Sequence, residues 1–379
     1  MNHLTLAKGA LVGAISFALA QPALAVTDEE FKTLQEQFNQ LADQVEDNSK
    51  NSTSDTTVGG YGELHYNNIS NSDNSNEKKA LDLHRFVIFV NHEFNSDIRF
   101  FSEFEIEHAL VKDTADGSNG GEVEVEQAYV QFDIGDDSNI DAGVFLIPVG
   151  IINETHEPPT FYGVERNPVE KNIIPVTWWE GGAMFSSRFD SGFSYDVALT
   201  SGLAGGTDIR GGRQKTSKAA ANNLAATARA QYTGISGLTL SGTAQYQDDM
   251  EQDSTSDVGS ATLVETHLIW NIADFTFTTL YARWDIDVKN TASAADQAKD
   301  IQEGGYLEAS YKVTPKWGVF VRQNEWDNGG IIGDTEKSQT DLGINYWPHE
   351  DVVIKADVQT QNTAAGDLEG FNLGIGYQF

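Results

Sequence analysis

Between Tyr61 and Phe379 the sequence contains sixteen stretches in which apolar and polar side chains alternate. Alternation with a period of two predicts β-strands with one apolar and one polar face. Short connections of one to four residues alternate with long connections of about seven residues or more. This alternation is typical of a barrel with tight turns at one end and loops at the other. The stretches lie near 61–69, 81–94, 97–110, 122–134, 139–147, 179–189, 192–203, 223–234, 237–248, 259–271, 274–287, 302–313, 316–327, 339–347, 351–361 and 369–379. This pattern predicts an all-β fold, a transmembrane antiparallel up-and-down β-barrel of sixteen strands over residues 57–379.

The composition excludes several other classes of protein. With 24 basic and 57 acidic residues, the formal net charge of -33 is incompatible with a general nucleic-acid binder, which needs a basic surface. The absence of cysteine excludes a disulfide scaffold, a thiol nucleophile and a cysteine-ligated metal site. No apolar run after residue 25 reaches the length of a membrane-spanning helix. A hydrophobic content of only 39% suits a barrel with a polar interior.

Residues 1–25 have the features of a secretory signal peptide. Lys8 precedes an apolar run that begins at Ala10, and the segment ends in Ala23-Leu24-Ala25. A basic start, a short apolar segment and small residues at the end are typical of a cleaved export signal. We expect the mature chain to begin after Ala25 and to leave the cytoplasm.

Residues 26–46 are predicted to form a short amphipathic helix in the periplasm. Apolar residues recur there with spacings of three and four, which is a coiled-coil pattern: Phe31, Leu34, Phe38, Leu41 and Val45. Two heptads barely form a helix alone, so copies from several chains would meet in an oligomer, or one helix would pack on its own barrel. Residues 47–56 are polar and read as a flexible linker.

The chain ends on an aromatic residue in phase with other apolar side chains. Phe371, Leu373, Ile375, Tyr377 and Phe379 alternate with polar residues and glycines. This ending resembles the C-terminal strand that the barrel assembly machinery recognises in outer-membrane proteins. We therefore assign Phe371, Tyr377 and Phe379 to an assembly signal, with an ordinary edge strand as the alternative.

These features together resemble bacterial outer-membrane porins of the phosphate-selective porin O/P family. The resemblance rests on the export signal, the segments TVGGYGE at 57–63 and LDLHRF at 81–86, a central insertion and the aromatic end. It implies a barrel of sixteen strands, usually trimeric, whose channel is narrowed by inserted loops. The implied location is the outer membrane, and the implied partners are its lipid and lipopolysaccharide, small hydrophilic solutes or ions, and further copies of the chain in a homotrimer.

The central insertion, residues 148–177, is predicted to be a constriction loop. Five of the eight prolines lie in it, and proline cannot donate a hydrogen bond to a β-ladder. A proline-rich and apolar loop of this length is expected to pack inside the barrel, although a cap or a trimer contact is the alternative. Its candidate constriction residues are His156, Glu157, Glu165, Arg166, Glu170 and Lys171.

Polar side chains that alternate with lipid-facing apolar residues are expected to line the pore. On the third strand, for example, Phe100 and Phe104 are assigned to lipid and Arg99 to the lumen. On the eleventh strand, Trp284 is assigned to lipid and Arg283 to the lumen. The predicted pore-lining residues are Arg85, Arg99, Glu103, Glu105, Glu107, Arg188, Arg229, Arg283, Asp285 and Arg322. The fourth strand changes phase near Gln127, so its second half is left unassigned.

The predicted function is passive diffusion of small hydrophilic solutes or ions through a water-filled channel. Two alternatives remain open: an anion- or phosphate-selective uptake channel, and a structural or adhesion barrel. No catalytic motif is present, so no enzyme activity, cofactor or metal site is expected. The alternating acids Glu122, Glu124 and Glu126 could gather a divalent cation, but a solvated wall explains them better.

Overall fold

In the part of the chain that the structure describes, sixteen strands and two short helices account for nearly all of the regular structure. The computed structural model describes residues 55–71, 77–111, 120–253, 257–331, 335–364 and 366–379. The strands are β1 Thr56–Asn71, β2 Lys78–Glu93, β3 Ile98–Glu107, β4 Val123–Asp133, β5 Ser138–Leu146, β6 Trp179–Arg188, β7 Phe193–Ser201, β8 Leu224–Tyr232, β9 Leu238–Gln247, β10 Val258–Ile272, β11 Phe275–Val288, β12 Ile301–Thr314, β13 Trp317–Asp327, β14 Glu336–His349, β15 Val352–Asn362 and β16 Leu368–Gln378. The helices are α1 Pro168–Asn172 and α2 Ala294–Gln297, and a 3-10 turn spans Pro158–Thr160.

The strands close into a single barrel. Each strand lies next to its neighbour in sequence, and β16 pairs with β1. The closing pair is antiparallel, with Tyr61 opposite Gln378 and Asn71 opposite Leu368. Closure leaves no strand edge without a partner. The predicted antiparallel barrel of sixteen strands is therefore confirmed. Its first strand begins at Thr56, which the sequence pattern assigned to the linker.

The outer face of the barrel carries a belt of exposed apolar side chains. They alternate with inward-facing residues on most strands, as at Phe104, Leu199, Val264, Leu342 and Val358. An apolar surface of this extent is unusual on a protein that faces water on all sides, and it matches a hydrocarbon environment. Among the described residues, no helix is long and apolar enough to cross a bilayer.

A hydrophobic core fills one side of the barrel interior. Ile152, Val169, Ile174 and Val176 from the 148–177 region pack against inward-facing residues of the wall, such as Leu263. The wall residues belong mainly to β10–β13, and the connections after β7 and β9 add further side chains: Leu203, Ile209, Met250, Val258, Ala261, Leu280, Ala282, Trp284, Ile286, Tyr306 and Trp326. The open part of the lumen is therefore displaced towards β1–β8.

The predicted N-terminal elements lie outside the described residues. They are the signal peptide at 1–25, the helix at 26–46 with its heptad residues Phe31, Leu34, Phe38, Leu41 and Val45, and the linker at 47–56 apart from its last two residues. Their assignments remain predictions.

Candidate pore and its inserted loops

The 148–177 loop lies inside the barrel. Its atoms bond to inward-facing side chains on ten strands, β1, β3, β4, β8, β9 and β11–β15, and only a segment within the lumen can reach all of them. On one side, Glu165 contacts His65 of β1 at 3.3 Å. On the other, the carbonyl oxygen of Ile173 accepts a 2.9 Å hydrogen bond from Trp284 of β11. The remaining contacts join the loop to Glu103, Glu126, Arg229, Thr243, Tyr306, Arg322, Asn345 and Lys355.

Glu170 holds the loop in its folded shape. The side chain is fully buried, and its Oε2 accepts hydrogen bonds from the backbone nitrogens of Ile151 and Ile152 at 2.8 and 2.7 Å. Its Oε1 accepts one from the Tyr306 hydroxyl at 2.8 Å. Burial raises the pKa of Glu170 above its usual range. Gly150, with a φ of +71°, lies so close that a Cβ there would be 2.8 Å from Oε2.

A second loop, residues 202–223, folds over the first. Arg210 donates hydrogen bonds to the carbonyl oxygens of Lys171 and Val176 at 2.9 and 2.6 Å. Arg213 donates to the carbonyl oxygen of Thr177. The sequence pattern placed this segment among the polar external loops, and so missed both arginines. In the sequence, only the close spacing of the two arginines in the segment Arg210-Gly-Gly-Arg213 could have indicated a shared function.

The two loops and the wall enclose a cavity of about 380 Å³ at the end of the barrel with the long connections. We call it the outer cavity. Most of its cations come from the loops: Arg166, Lys171, Arg210, Arg213 and Lys215, with Arg85 from the wall. Most of its carboxylates come from the wall side: Glu63, Glu107, Glu122 and Glu124, with Glu165 from the loop. Opposite charges on facing sides create a field across the cavity.

Three loop arginines of the outer cavity lack a carboxylate partner among the described residues. Arg210 and Arg213 bond to backbone carbonyls, and the buried Nε and Nη2 of Arg166 have no hydrogen-bond partner there. Burial, followed by the charges of Arg213 and Arg166, lowers the pKa of Arg210 to about 10. Lys215 differs, because its Nζ lies 2.8 Å from Glu122 and also contacts Glu124.

A second cavity, of about 250 Å³, lies at the end with the short turns. We call it the inner cavity. Arg229 lies on its wall, where Nε contacts Asp196 at 2.7 Å and the guanidinium also meets Glu154 of the loop. Asp141 and Arg188 line the same space. The inner cavity is therefore a charged compartment of mixed sign.

The structure places eight of the ten predicted pore-lining residues on the inside of the barrel. Arg85, Glu107, Arg188 and Arg229 line one of the two cavities. Arg99 bonds to Gln131 of the inner cavity wall. The other inward-facing members, Glu103, Glu105 and Arg322, are buried against the loop or its neighbours.

The prediction was wrong for Arg283 and Asp285. Both lie on the outer surface, where Arg283 pairs with Asp285 at 2.8 Å and with Glu303 at 3.0 Å. The alternate side chains Ala282 and Trp284 point inward and are buried in the hydrophobic core. The assignment of polar residues to the lumen assumes that the lumen is filled with water. Next to β11 the loops fill the lumen with apolar side chains instead. The apolar face of this strand therefore points inward and its polar face points outward.

The phase change in the fourth strand is a β-bulge. Glu103 pairs with Gln127 and Phe104 pairs with Val125, which leaves Glu126 as the extra residue of β4. Glu126 is fully buried, and Gln127 bonds to Glu103 on the same inner side. A bulge re-aims side chains in this way, so two consecutive residues face the lumen.

The six candidate residues of the loop separate into three groups. Glu165, Arg166 and Lys171 line the outer cavity. His156 faces carboxylates of the wall, and Glu170 is enclosed within the loop. Glu157 precedes the 3-10 turn, where its carbonyl oxygen accepts a hydrogen bond from Thr160.

The residues assigned to the assembly signal lie on and beside β16. Phe371 is exposed on the outer face and its ring is 6.0 Å from that of Tyr66. Tyr377 lies opposite Gly62 in the closing pair. Phe379 exchanges two backbone hydrogen bonds of 2.9 Å with Gly60, so the last residue takes part in closing the barrel.

An uncharacterized protein of Aquifex aeolicus (strain VF5) is 31% identical to the chain over 341 residues, which cover 79% of this chain and 74% of that protein. The chain belongs to the family of this Aquifex protein. No protein-family model matches the sequence, so the resemblance of this family member to phosphate-selective porins remains a prediction.

Solved structures of bacterial outer-membrane proteins share the architecture of this family member. The anion-selective porin from Comamonas acidovorans is 11% identical with a TM-score of 0.63, over 86% of this chain and 100% of that chain. The outer-membrane channel DcaP of Acinetobacter baumannii is 12% identical with a TM-score of 0.57, over 87% and 98%. The trimer form of OmpT of Vibrio cholerae is 13% identical with a TM-score of 0.57, over 86% and 99%. At these identities the likeness is one of fold.

Proposed function

We propose that the protein is an outer-membrane porin that lets small hydrophilic solutes or ions diffuse passively across the membrane. One observation carries the proposal: a charged loop lies inside a closed barrel that has an apolar outer belt, with a polar cavity at each end of the loop. A structural or adhesion barrel does not require two charged cavities separated by an inserted loop. The mechanism is exclusion by size and charge at the 148–177 loop, with no covalent step.

A preference for anions is the second candidate, and the loop arginines favour it. Arg166, Arg210 and Arg213 meet in the outer cavity without carboxylate partners among the described residues. A guanidinium keeps its charge and offers a planar set of donors that fits phosphate and carboxylate groups. The net charge of -33 repels anions at a distance, so the preference would arise at the constriction itself. The resemblance to phosphate-selective porins points the same way.

The same proposal covers assembly and surroundings. We expect a homotrimer in the outer membrane, in contact with lipid and lipopolysaccharide, delivered by the barrel assembly machinery through the C-terminal strand. The predicted helix at 26–46 would lie in the periplasm, where copies from three chains could meet. The trimeric OmpT structure of similar fold supports the homotrimer.

Conductance in a planar bilayer tests the channel. Purified protein should give discrete current steps, and deletion of 155–172 should enlarge each step because the loop occupies the lumen. Arg283→Gln is the control, since Arg283 lies on the outer surface and its loss should leave the steps unchanged. A protein that inserts without current steps would contradict the porin proposal, and an unaltered step size after the deletion would contradict the constriction.

The reversal potential in a salt gradient tests the anion preference. Arg210→Gln and Arg213→Gln remove unpaired positive charge from the outer cavity, so each should shift the reversal potential towards cations. Arg283→Gln again serves as the control, because it removes the same charge from the outer face. Equal reversal potentials for all three variants and the natural chain would refute a role for the loop arginines in selectivity.

A further inference from the structure

Two wall carboxylates and one loop imidazole meet at the centre of the barrel wall. Glu103 of β3, Glu126 of β4 and His156 of the 148–177 loop are each at most 3% exposed. One nitrogen or oxygen atom from each lies within 4.8 Å of the others. We call these residues the central cluster. Thr177 of the outer cavity bonds to Glu126, and Gln127 of the inner cavity bonds to Glu103, so the cluster is joined to the linings of both cavities.

The hydrogen bonding of His156 sets the chemistry of the cluster. Its Nδ1 lies 3.1 Å from the carbonyl oxygen of Asn153, and a carbonyl oxygen can only accept, so Nδ1 carries a hydrogen. In the neutral ring, Nε2 then presents a lone pair. That lone pair faces Glu103 Oε1 at 3.4 Å and Glu126 Oε2 at 3.7 Å. Glu103 Oε1 also accepts a hydrogen bond from the Tyr61 hydroxyl at 3.3 Å. Because three electron-rich atoms converge, a positive charge between them would be stabilised.

The distances are compatible with a metal ion between the three residues. A proton on Nε2 would draw a carboxylate oxygen to about 2.7–2.9 Å, the length of a charge-assisted hydrogen bond, and both observed separations are longer. Ligands at about 2.0–2.1 Å from a tetrahedral Zn²⁺ ion lie about 3.4 Å apart. A ring whose other nitrogen donates to a backbone carbonyl is also the usual arrangement for a metal-bound histidine.

An unsatisfied oxygen gives independent support. Within the described residues, Oε2 of Glu126 lacks an N–H or hydroxyl donor, whereas Oε1 accepts a hydrogen bond from Thr177 at 3.0 Å. A further hydrogen-bond partner of Glu126 is another carboxyl group, that of Glu105. A buried carboxylate oxygen without a donor is unfavourable, because the desolvated charge is not compensated. The bulge at Glu126 aims this oxygen into the cluster. The wall cation Arg85 is instead engaged by Glu63 and Glu105 at 2.8 and 3.3 Å.

We propose that Glu103, Glu126 and His156 bind one divalent transition-metal ion of the Zn²⁺ class. One imidazole and two carboxylates are a ligand set for such an ion, while Ca²⁺ and Mg²⁺ prefer oxygen ligands alone. With three protein ligands, a fourth position remains for water. The ion fixes His156, and therefore the loop, to strands β3 and β4. This proposal is separate from the channel function and does not depend on it.

A Zn²⁺ titration of the folded, full-length chain in detergent, after treatment with a chelator, tests the site. We expect one Zn²⁺ per chain at the central cluster, with affinity reduced about tenfold or more in Glu126→Gln and His156→Gln. Asp82, His84 and His108 form a second, more exposed group that could take up the ion. A His84→Gln/His108→Gln double variant is therefore the matched control and should retain the central ion.

Two results would overturn the proposal. One is the absence of Zn²⁺ binding to the natural chain. The other is binding that survives both central substitutions but disappears in the double control variant. Heat-modifiable electrophoretic mobility checks that each variant folds. If His156→Gln does not fold, X-ray absorption of the zinc-loaded natural chain decides: a shell with one imidazole nitrogen and carboxylate oxygens supports the site, and two imidazoles contradict it. Conductance is measured on the same samples, so that a protein without channel activity can be distinguished from one that does not bind Zn²⁺.

Discussion

At the scale of single residues, Glu170 both shapes the inserted loop and attaches it to the wall. It is buried in the loop, yet it binds two backbone nitrogens and the hydroxyl of Tyr306 on the wall. One side chain therefore fixes the local turn and attaches it to β12. A buried acid in this position has a structural role, although its sequence context suggests a pore charge.

Replacing Glu170 should loosen the loop without opening the barrel. In Glu170→Ala, the nitrogens of Ile151 and Ile152 lose their acceptor, at about 1–3 kcal/mol for each buried group left unsatisfied. Hydrogen exchange of these amides should therefore become faster in the variant. Glu157→Ala is the control, because Glu157 contributes its backbone carbonyl to Thr160 and that bond survives the change. Equal exchange rates in both variants would argue against the anchoring role.

Two arginines show where residue-level prediction succeeds and fails. Arg229 and Arg283 both alternate with apolar neighbours, so the sequence pattern assigns both to the lumen. Arg229 borders the inner cavity, where water and charges occupy the interior. Arg283 lies on a strand whose inner face packs against the loops, and it points outward. Alternation defines two faces, but only the distant residues that fill the lumen decide which face is polar.

At the scale of elements, inward-facing glycines make room for the loop. A Cβ at Gly376 of β16 would lie 2.2 Å from Cβ of Pro158, in the 3-10 turn. A Cβ at Gly318 of β13 would lie 2.2 Å from the hydroxyl of Tyr162. The wall and the loop are therefore matched in shape along several strands.

Filling the space at Gly376 should displace the loop. In Gly376→Val, the added side chain overlaps the ring of Pro158, and the 3-10 turn must move away from β16. We expect noisier and larger current steps in a planar bilayer. Leu373→Val on the same strand is the control, since Leu373 is exposed on the outer face. Identical recordings for the two variants would show that the loop does not depend on this contact.

The elements themselves were predictable to different degrees. All sixteen strands follow from alternation, and the five prolines marked 148–177 as a non-strand segment. The inward fold of the 202–223 loop was not predictable, because its contacts are with carbonyls of the first loop and leave no periodic pattern. The bulge at Glu126 appeared in the sequence as a change of phase, but its direction depends on the pairing of β3 with β4.

At the scale of the whole molecule, the barrel closes through its own backbone pairing. The β1–β16 ladder extends over eleven residue pairs from Tyr61 to Asn71, and the Gly60–Phe379 hydrogen bonds extend it by one more residue of β1. Removing residues 26–54 from the mature chain should therefore leave a folded barrel. If the predicted helices of several chains meet, the deletion should reduce the trimer population in detergent. Mass photometry of the two proteins measures this, and an unchanged trimer population would exclude a role for the helix in assembly.

The position of the 148–177 loop also has a consequence for the order of folding. The loop follows β5, but many of its partners lie on β11–β15, which are made later. Contacts between distant segments form late, because the chain between them must first be ordered. We therefore expect the lumen of a partly folded barrel to lack the loop, which would insert only when the later strands pair. The constriction would then take its final shape only once β11–β15 have joined the barrel.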